Sequence, residues 1–448
     1  MKTIFLFLKN DLFISDLLKT EYIKYLSGKY RVVIFSSTIS ADQNQYFISP
    51  NITYVRWRVQ NPKLFAWFKF LRTNCSHELD SLSSMKMYYR GQMFKSDKRA
   101  RLARFLSWPL APWLTLDRFT QAEYFLARTR LFSEYCRKYK PALIMTATPG
   151  IQVFDAEAII LAKKVGIPTL ATNFSWDNLT AFKAVRLRKP DYIFVWNDII
   201  RTSAIELHNF DPRRVWVTGS MRFDRYFNTT QVLPSRQDFL ESKRLNPNYR
   251  TILFATVASN NCLFQSDIIK EIIKMRAKSV IPYVNVLIRL HPFDTPGVYR
   301  EFLGMENICV ELAGKKVSTL AGERVQIDGQ DFLNLKSTLV HTDININYKS
   351  TISLESFLFD KPVVNFTDPT RPHQRGIYYD ENSYYRPLVR EGAVRVVTTS
   401  NELKEVINMY LANPNEDSAN RKRVADTYLP FRDSQSYKRS VDFLEKII

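Results

Sequence analysis

The 448-residue chain is 45% hydrophobic and 24% charged, enough for two or three domains of roughly 150–200 residues with substantial cores. Its four cysteines, Cys75, Cys136, Cys262 and Cys309, lie far apart and form no CxxC pair, which excludes a zinc-ribbon or disulfide framework and fits a reducing compartment. The net charge of +20, from 64 Lys+Arg against 44 Asp+Glu, calls for an anionic partner: nucleic acid, a membrane surface or a phosphorylated substrate.

The opening MKTIFLFLKNDLF has an apolar run that stops at Lys9, Asn10 and Asp11, with no small-residue cleavage site after it, so it reads as a strand and not as a signal peptide. Residues 2–8 and 30–37 are β-rich runs separated by a helix-length segment, and 52–57 form a third strand. The block 86–119 holds much of the excess charge: Lys95, Lys98, Arg99, Arg101 and Arg104 beside Phe94, Leu102, Phe105, Leu106, Trp108 and Trp113. Leu102, Phe105 and Leu106 have helical spacing, the pattern either of a basic amphipathic helix in a bilayer interface or of a solvated helix whose apolar side joins the core. No groove-reading or RNA-binding motif accompanies the charge, so a specific nucleic acid is not expected.

A helical pattern around 120–139 leads to strands at 141–150, 166–175 and 190–198. Near 215–228 the alternation restarts, with strands at 250–258 and 284–294 and in STLVHTDININY and KPVVNFTD. Strands alternating with helices predict parallel sheets covered on both faces. Nowhere do about 18 apolar residues run together, so no membrane-spanning helix is expected and the chain reads as cytoplasmic. Only 12 glycines occur, without GxGxxG or GxxxxGK[ST], so any phosphate must be held by hydroxyls, cations and helix N–H groups.

Ligands of parallel α/β sheets sit beyond the carboxyl ends of the strands. Four loops there carry candidate chemistry. After ININY come Lys349, Ser350 and Thr351, which either grip a donor phosphate or cap the next helix, and Glu355 one turn on can accept from ribose hydroxyls or offset the helix dipole. LIRLHPFD places Arg289 and then His291 at a strand end, an imidazole suited to a phosphate or a proton. In ATNFSWDNLT, Asn173, Trp176 and Asn178 surround Asp177, a candidate base for an acceptor hydroxyl or the core of an Asx turn. VTGSMRFDRY offers Arg222 and Asp224, for donor binding or an inter-domain ion pair, and Arg371 with His373 in DPTRPHQRG form a weaker candidate.

In this order, over about residues 140–370, these elements resemble bacterial transferases of surface-polymer synthesis: the CDP-glycerol glycerophosphotransferases of teichoic acid assembly, and capsule and O-antigen glycosyltransferases of GT-B architecture. VTGSMRFD is similar to the family's Gly-x-Pro-Arg-x-Asp turn, with Met221 where proline is usual. TILFATVASN resembles its strand leading to a Pro-Thr loop, with Ala255 and Thr256 here, followed by Ser259. LIRLHP is similar to its Lys-x-His-Pro element, with Arg289 for the lysine, and HTDININYKSTISLESFLFDKPVVNF to its Tyr-Ser-Ser…Lys-Pro element. The resemblance implies Ser350 and Thr351 at the donor phosphates, His291 on the donor side and Glu355 at the ribose, which favours a sugar donor. The glycerophosphotransferases' histidine-glycine pair has no counterpart in NFSWDNLT, so Asp177 as base is a reading of these residues alone.

The expectation is thus an α/β chain of two Rossmann-like domains facing a cleft: residues 1–218 on the acceptor side, with the basic insertion near 86–119, and 219–430 holding the nucleotide donor. The helix at 431–448 crosses back to the first domain. The expected activity is a metal-independent glycosyltransferase with no cofactor beyond its nucleotide-sugar co-substrate. It would act on a lipid-linked or polysaccharide acceptor at an anionic membrane, peripheral to the inner face of the plasma membrane. The rivals are a CDP-glycerol-type polyol-phosphate transferase, a UDP-sugar 2-epimerase-like enzyme, and a non-enzymatic basic scaffold. Arg222, Thr256, Ser259, Arg289, Lys349, Ser350, Thr351 and Glu355 are the expected donor contacts, Asp177 and His291 the catalytic pair, and Asn173, Trp176 and Asn178 the acceptor side.

Overall fold

β1 (Thr3–Phe7) shows how this sequence makes a sheet covered on both faces. In the computed structural model Ile4 and Leu6 join one apolar cluster while Phe5 and Phe7 join another. Successive strand side chains point to opposite faces, so an unbroken apolar run is stable only between two layers. Phe7 stacks on Phe35 at 4.6 Å, and Trp57 meets Phe35 edge-on at 5.6 Å. The structure describes all residues except 10–12, 14–16, 39–46, 82, 91–95, 174, 180–188, 229–230, 259–261, 263, 320–321, 327–328 and 368–383.

The first sheet adds β2 (Arg31–Ser36), β3 (Ile52–Arg56), β4 (Pro141–Thr146), β5 (Thr169–Ala171), β6 (Tyr192–Val195) and β7 (Val215–Val217). Its order is β3-β2-β1-β4-β5-β6-β7, every pair parallel. The second contains β8 (Thr251–Ala255), β9 (Asn285–Leu290) and β10 (Ile308–Leu312). A hairpin follows, β11 (Lys315–Thr319) and β12 (Gly322–Gln326), antiparallel and outside the main sheet. With β13 (Ile344–Asn347), β14 (Val363–Phe366) and β15 (Arg395–Val397), the second sheet runs β10-β9-β8-β13-β14-β15, again parallel throughout. Each sheet grows outward from its first strand and then reverses, at β1/β4 and at β8/β13, the doubly wound pattern whose switch point receives ligands.

The chain forms two units, Met1–Asn228 with Leu429–Ile448, and Thr229–Tyr428. The expected break after residue 218 therefore falls too early, because 219–228 are tied to the end of the chain within the first unit. Gly219 has φ +84°, and a Cβ there would run into the Ser436 hydroxyl. The buried Asp224 carboxylate accepts the backbone N–H groups of Ser436 at 3.2 Å and Tyr437 at 2.9 Å, capping helix Ser436–Asp442 from outside. Arg439 Nε donates to the Thr218 carbonyl at 3.0 Å, and Phe443 stacks on Trp216 at 4.9 Å. Lys29 pairs with Asp442 at 2.8 Å and Glu445 at 2.7 Å. Asp224 is thus not an inter-domain ion pair but a cap.

Among the described residues no helix is long and apolar enough to cross a membrane. Because Asp224 satisfies two orphan N–H groups, Asp224→Ala is expected to destabilise the first unit by about 1–2 kcal/mol, read as a lowered urea midpoint, with the C-terminal helix the earliest segment to gain hydrogen exchange.

Candidate functional site

β13 reads ININ, and its two faces differ. Ile344 and Ile346 enter the apolar core, whereas Asn345 and Asn347 face a buried polar layer under helix Ile352–Phe357. Asn345 Nδ2 donates to Ser356 Oγ at 2.6 Å, and Asn347 Nδ2 to Ser353 Oγ at 3.1 Å. Asn347 Oδ1 accepts from Asn365 Nδ2 of β14 and from the Ser350 N–H, both at 3.2 Å. Ser353 Oγ also lies 2.8 Å from the Tyr385 hydroxyl, and burial pushes that phenol's pKa well above its ordinary value. Buried amides and hydroxyls persist only when they satisfy one another, so this layer fixes the turn above it.

That turn is Lys349-Ser350-Thr351. Lys349 has φ +45°, the left-handed region that a side chain rarely adopts, and the Ser350 N–H bond to Asn347 holds it there. All three residues are half-buried. β8 lies beside β13, and β9 beside β8, so Thr256 and His291 follow their strands onto the same edge. Thr256 accepts the His291 N–H at 2.8 Å and donates its own N–H to the Arg289 carbonyl at 3.0 Å. His291 Nδ1 accepts from the Phe293 N–H at 3.1 Å, which makes Nε2 the protonated nitrogen of the neutral ring. The second sheet therefore gathers Thr256, His291, Lys349, Ser350 and Thr351 at its switch point. The Thr256 hydroxyl, expected as a donor contact, is buried at this edge and accepts the His291 N–H.

Three other expected donor contacts need correction. Arg289 is 5% exposed, and its guanidinium binds Glu311 Oε1 at 2.6 Å and Asp331 Oδ1 at 2.8 Å. Glu311 also pairs with Lys243 at 2.6 Å, and the charges on both sides hold its carboxyl below the usual range against the effect of burial. A cation already facing two carboxylates inside the protein is scaffold, not phosphate receptor. Glu355 is buried at 2% exposure, beneath the edge where a ribose contact was expected. Arg222, on helix Met221–Phe227, belongs to the first unit and not to the 219–430 segment in which it was expected. Ser259, Arg371 and His373 lie outside the described residues.

The first sheet carries a second polar edge. After β5, Asn173 (φ +37°), Trp176 and Asn178 are buried, and Asp177 is half-buried with its Oδ1 receiving the Ser175 hydroxyl at 2.6 Å. The Trp176 ring, expected on the acceptor side, is 2% exposed. The Asn173 carbonyl accepts from Trp196 Nε1 at 3.0 Å, while its side-chain amide has no partner among the described residues.

Sequence reasoning missed Asp155, on helix Val153–Lys164 behind β4. It is fully buried, receives the Thr148 hydroxyl, and is pushed by burial up to about 7. In sequence it reads as one more first-turn carboxylate, and only the TATPG loop before it hints at a strand-end site.

Two measurements follow from these placements. Arg289→Ala takes the shared cation away from Asp331 and from Glu311, which keeps Lys243, and is expected to cost about 3–5 kcal/mol by urea unfolding, whereas Lys349→Ala changes stability by less than about 1 kcal/mol. For Asp155, an unfolded chain releases the proton near pH 4 and the native state near 7. The native state then binds more protons in that window and loses stability as pH rises through it. Asp155→Asn should flatten that slope and raise the urea midpoint more at about pH 8 than at about pH 5.

Comparison with known proteins agrees with this architecture. No curated protein sequence gives a significant match. Among solved structures, the S. aureus MnaA–UDP co-structure superimposes with TM-score 0.57 at 12% identity, covering 100% of this chain and 98% of that one. The UDP-GlcNAc 2-epimerase of Neisseria meningitidis bound to UDP-GlcNAc gives 0.55 at 13%, with both chains covered completely. A glycosyltransferase from Rickettsia africae gives 0.52 at 12%, over 100% and 98%. At such identities the likeness shows the fold, two parallel-sheet units of the GT-B class. Residues 151–446 match the profile of CDP-glycerol:poly(glycerophosphate) glycerophosphotransferases, well over half of the chain. The chain belongs to that family, and is a transferase of cell-surface polymer synthesis that draws on a nucleotide-activated donor.

Proposed function

We propose that the chain moves a sugar from a nucleotide-activated donor to a lipid-linked or polysaccharide acceptor at the cytoplasmic face of the plasma membrane. The observation that supports the donor assignment most directly is the left-handed Lys349 turn, held from beneath by Asn347 at the switch point of the second sheet. Strain of this kind persists where the surrounding structure over-determines it, as in ligand-gripping turns.

In this reading Ser350, Thr351 and Lys349 hold the donor phosphates, and His291 Nε2–H donates to them. Asp177 is the base on the acceptor side. The acceptor oxygen forms a bond to the anomeric carbon as that carbon's bond to the phosphate oxygen breaks. The hydroxyl proton passes to the Asp177 carboxylate, and the electron pair leaves with the nucleotide, where fixed cations and donors stabilise it. Metal independence is part of the proposal. The departing charge is assigned to Lys349 and His291.

A second reading rests on the family itself, whose description names CDP-glycerol as donor. There the group moved is glycerol phosphate, and attack occurs at phosphorus. The MnaA and Neisseria structures hold UDP and UDP-GlcNAc, which makes uridine nucleotides the first to test.

A thermal-shift series over UDP, GDP, CDP and CMP should show one nucleotide raising the midpoint, about 2.7 kcal/mol of stabilisation at a hundredfold excess over Kd. Ser350→Ala/Thr351→Ala should weaken that nucleotide at least about tenfold. Asp177→Asn should lower kcat by about 100-fold or more with the nucleotide Kd unchanged. Labelled CDP-glycerol against labelled nucleotide sugars separates the two donors. An isomerised sugar nucleotide formed without acceptor would replace both readings with an epimerase, and full donor affinity in the double variant would remove the phosphate assignment.

A further inference from the structure

Helix Lys98–Ser107 is built inside out. Asp97 starts it by accepting the N–H groups of Arg99 and Ala100, at 3.0 and 3.1 Å. The stripe that faces the protein is Ala100, Ala103, Arg104 and Ser107, at the i, i+3, i+4, i+7 spacing normally held by large apolar residues. Arg104 lies 3.9 Å from the Tyr89 ring, donates to its hydroxyl at 2.8 Å and pairs with Asp80, while Ser107 Oγ meets His77 Nε2 at 3.2 Å. These polar contacts seat the helix.

Its large apolar side chains point the other way. Leu102 is 58% exposed, Phe105 77% and Leu106 60%. The following 3-10 turn, Trp108–Leu110, and Trp113 continue the surface, with Trp108 at 68% and Trp113 at 66%. Arg118 lies 5.0 Å from the Trp113 ring. Lys98, Arg99 and Arg101 are exposed along the same short helix. Isolated exposed apolar residues are ordinary, but a continuous run of leucine, phenylalanine and tryptophan on one face, fringed by cations, marks a surface that something else covers.

We propose that this face inserts into an anionic lipid bilayer, with Phe105, Leu106 and Trp108 in the acyl boundary and Lys98, Arg99 and Arg101 against the headgroups. The charge selects the occupant. A second copy would bring the same cations against themselves, and a polyanion without an apolar phase would leave the leucine and phenylalanine side chains wet. A lipid surface satisfies both halves at once. This rests on the surface alone and does not depend on which donor the second unit binds.

The test is flotation of the full chain with phosphatidylglycerol-rich or pure phosphatidylcholine vesicles. The wild type should partition into the anionic vesicles at least about tenfold more strongly. Phe105→Ser/Leu106→Ser should reduce that partition at least about tenfold, and each of Arg99→Gln and Arg101→Gln about fivefold. All these side chains lie off the packed stripe, so melting temperature and nucleotide-induced thermal shift should stay as in the wild type. Equal flotation with both lipids, or undiminished flotation of Phe105→Ser/Leu106→Ser, overturns the proposal. So does a wild-type dimer in sedimentation that this variant converts to monomer without any vesicle binding, or duplex DNA affinity exceeding that for anionic vesicles.

Discussion

The second unit depends on the amide–hydroxyl layer beneath helix Ile352–Phe357. Asn345, Asn347 and Asn365 project from two neighbouring strands, and Ser353, Ser356 and Tyr385 answer them. An aliphatic layer would pack equally well but would slide. Hydrogen bonds with fixed donors and acceptors favour one register, and in it Asn347 holds the Ser350 N–H just after the left-handed Lys349. The conformation of the edge is therefore supported from below, by buried residues.

The same economy governs the buried charges. Arg289 and Glu311 sit inside one ion-pair network with Lys243 and Asp331, and Arg72 is held bidentately by Glu123 at 2.5 and 3.1 Å in the first unit. Glu157 collects the N–H groups of Gln60 and Asn61 at the start of helix Pro62–Cys75. These ions are answered by opposite charges or by backbone N–H groups, so they hold tertiary structure together.

Much of the fold was legible because burial on both faces writes unbroken apolar runs. Residues 2–8, 30–37 and 52–57 became β1, β2 and β3, and 250–258 and 284–294 contain β8 and β9. Strand order was not legible, since it depends on which runs pair and not on their composition. Arg289 illustrates the limit at the site. Its local string resembles a ligand-binding motif, but its partners Glu311 and Asp331 stand 22 and 42 residues away, and no local pattern announces them. The helix at 98–107 shows another limit: periodicity reveals two faces without saying which one meets the protein. Asp155 was invisible because its depth, not its spacing, sets its proton affinity.

The return of Leu429–Ile448 to the first unit has a temporal side. During synthesis the strands of the first sheet leave the ribosome early, yet Gly219 and Asp224 wait for Ser436 and Tyr437 until the middle unit has been translated. The second unit draws all its strands from one uninterrupted stretch and can mature first. The half that begins the polypeptide is thus the half completed last, so damage near the carboxyl terminus would be felt by the amino-terminal sheet.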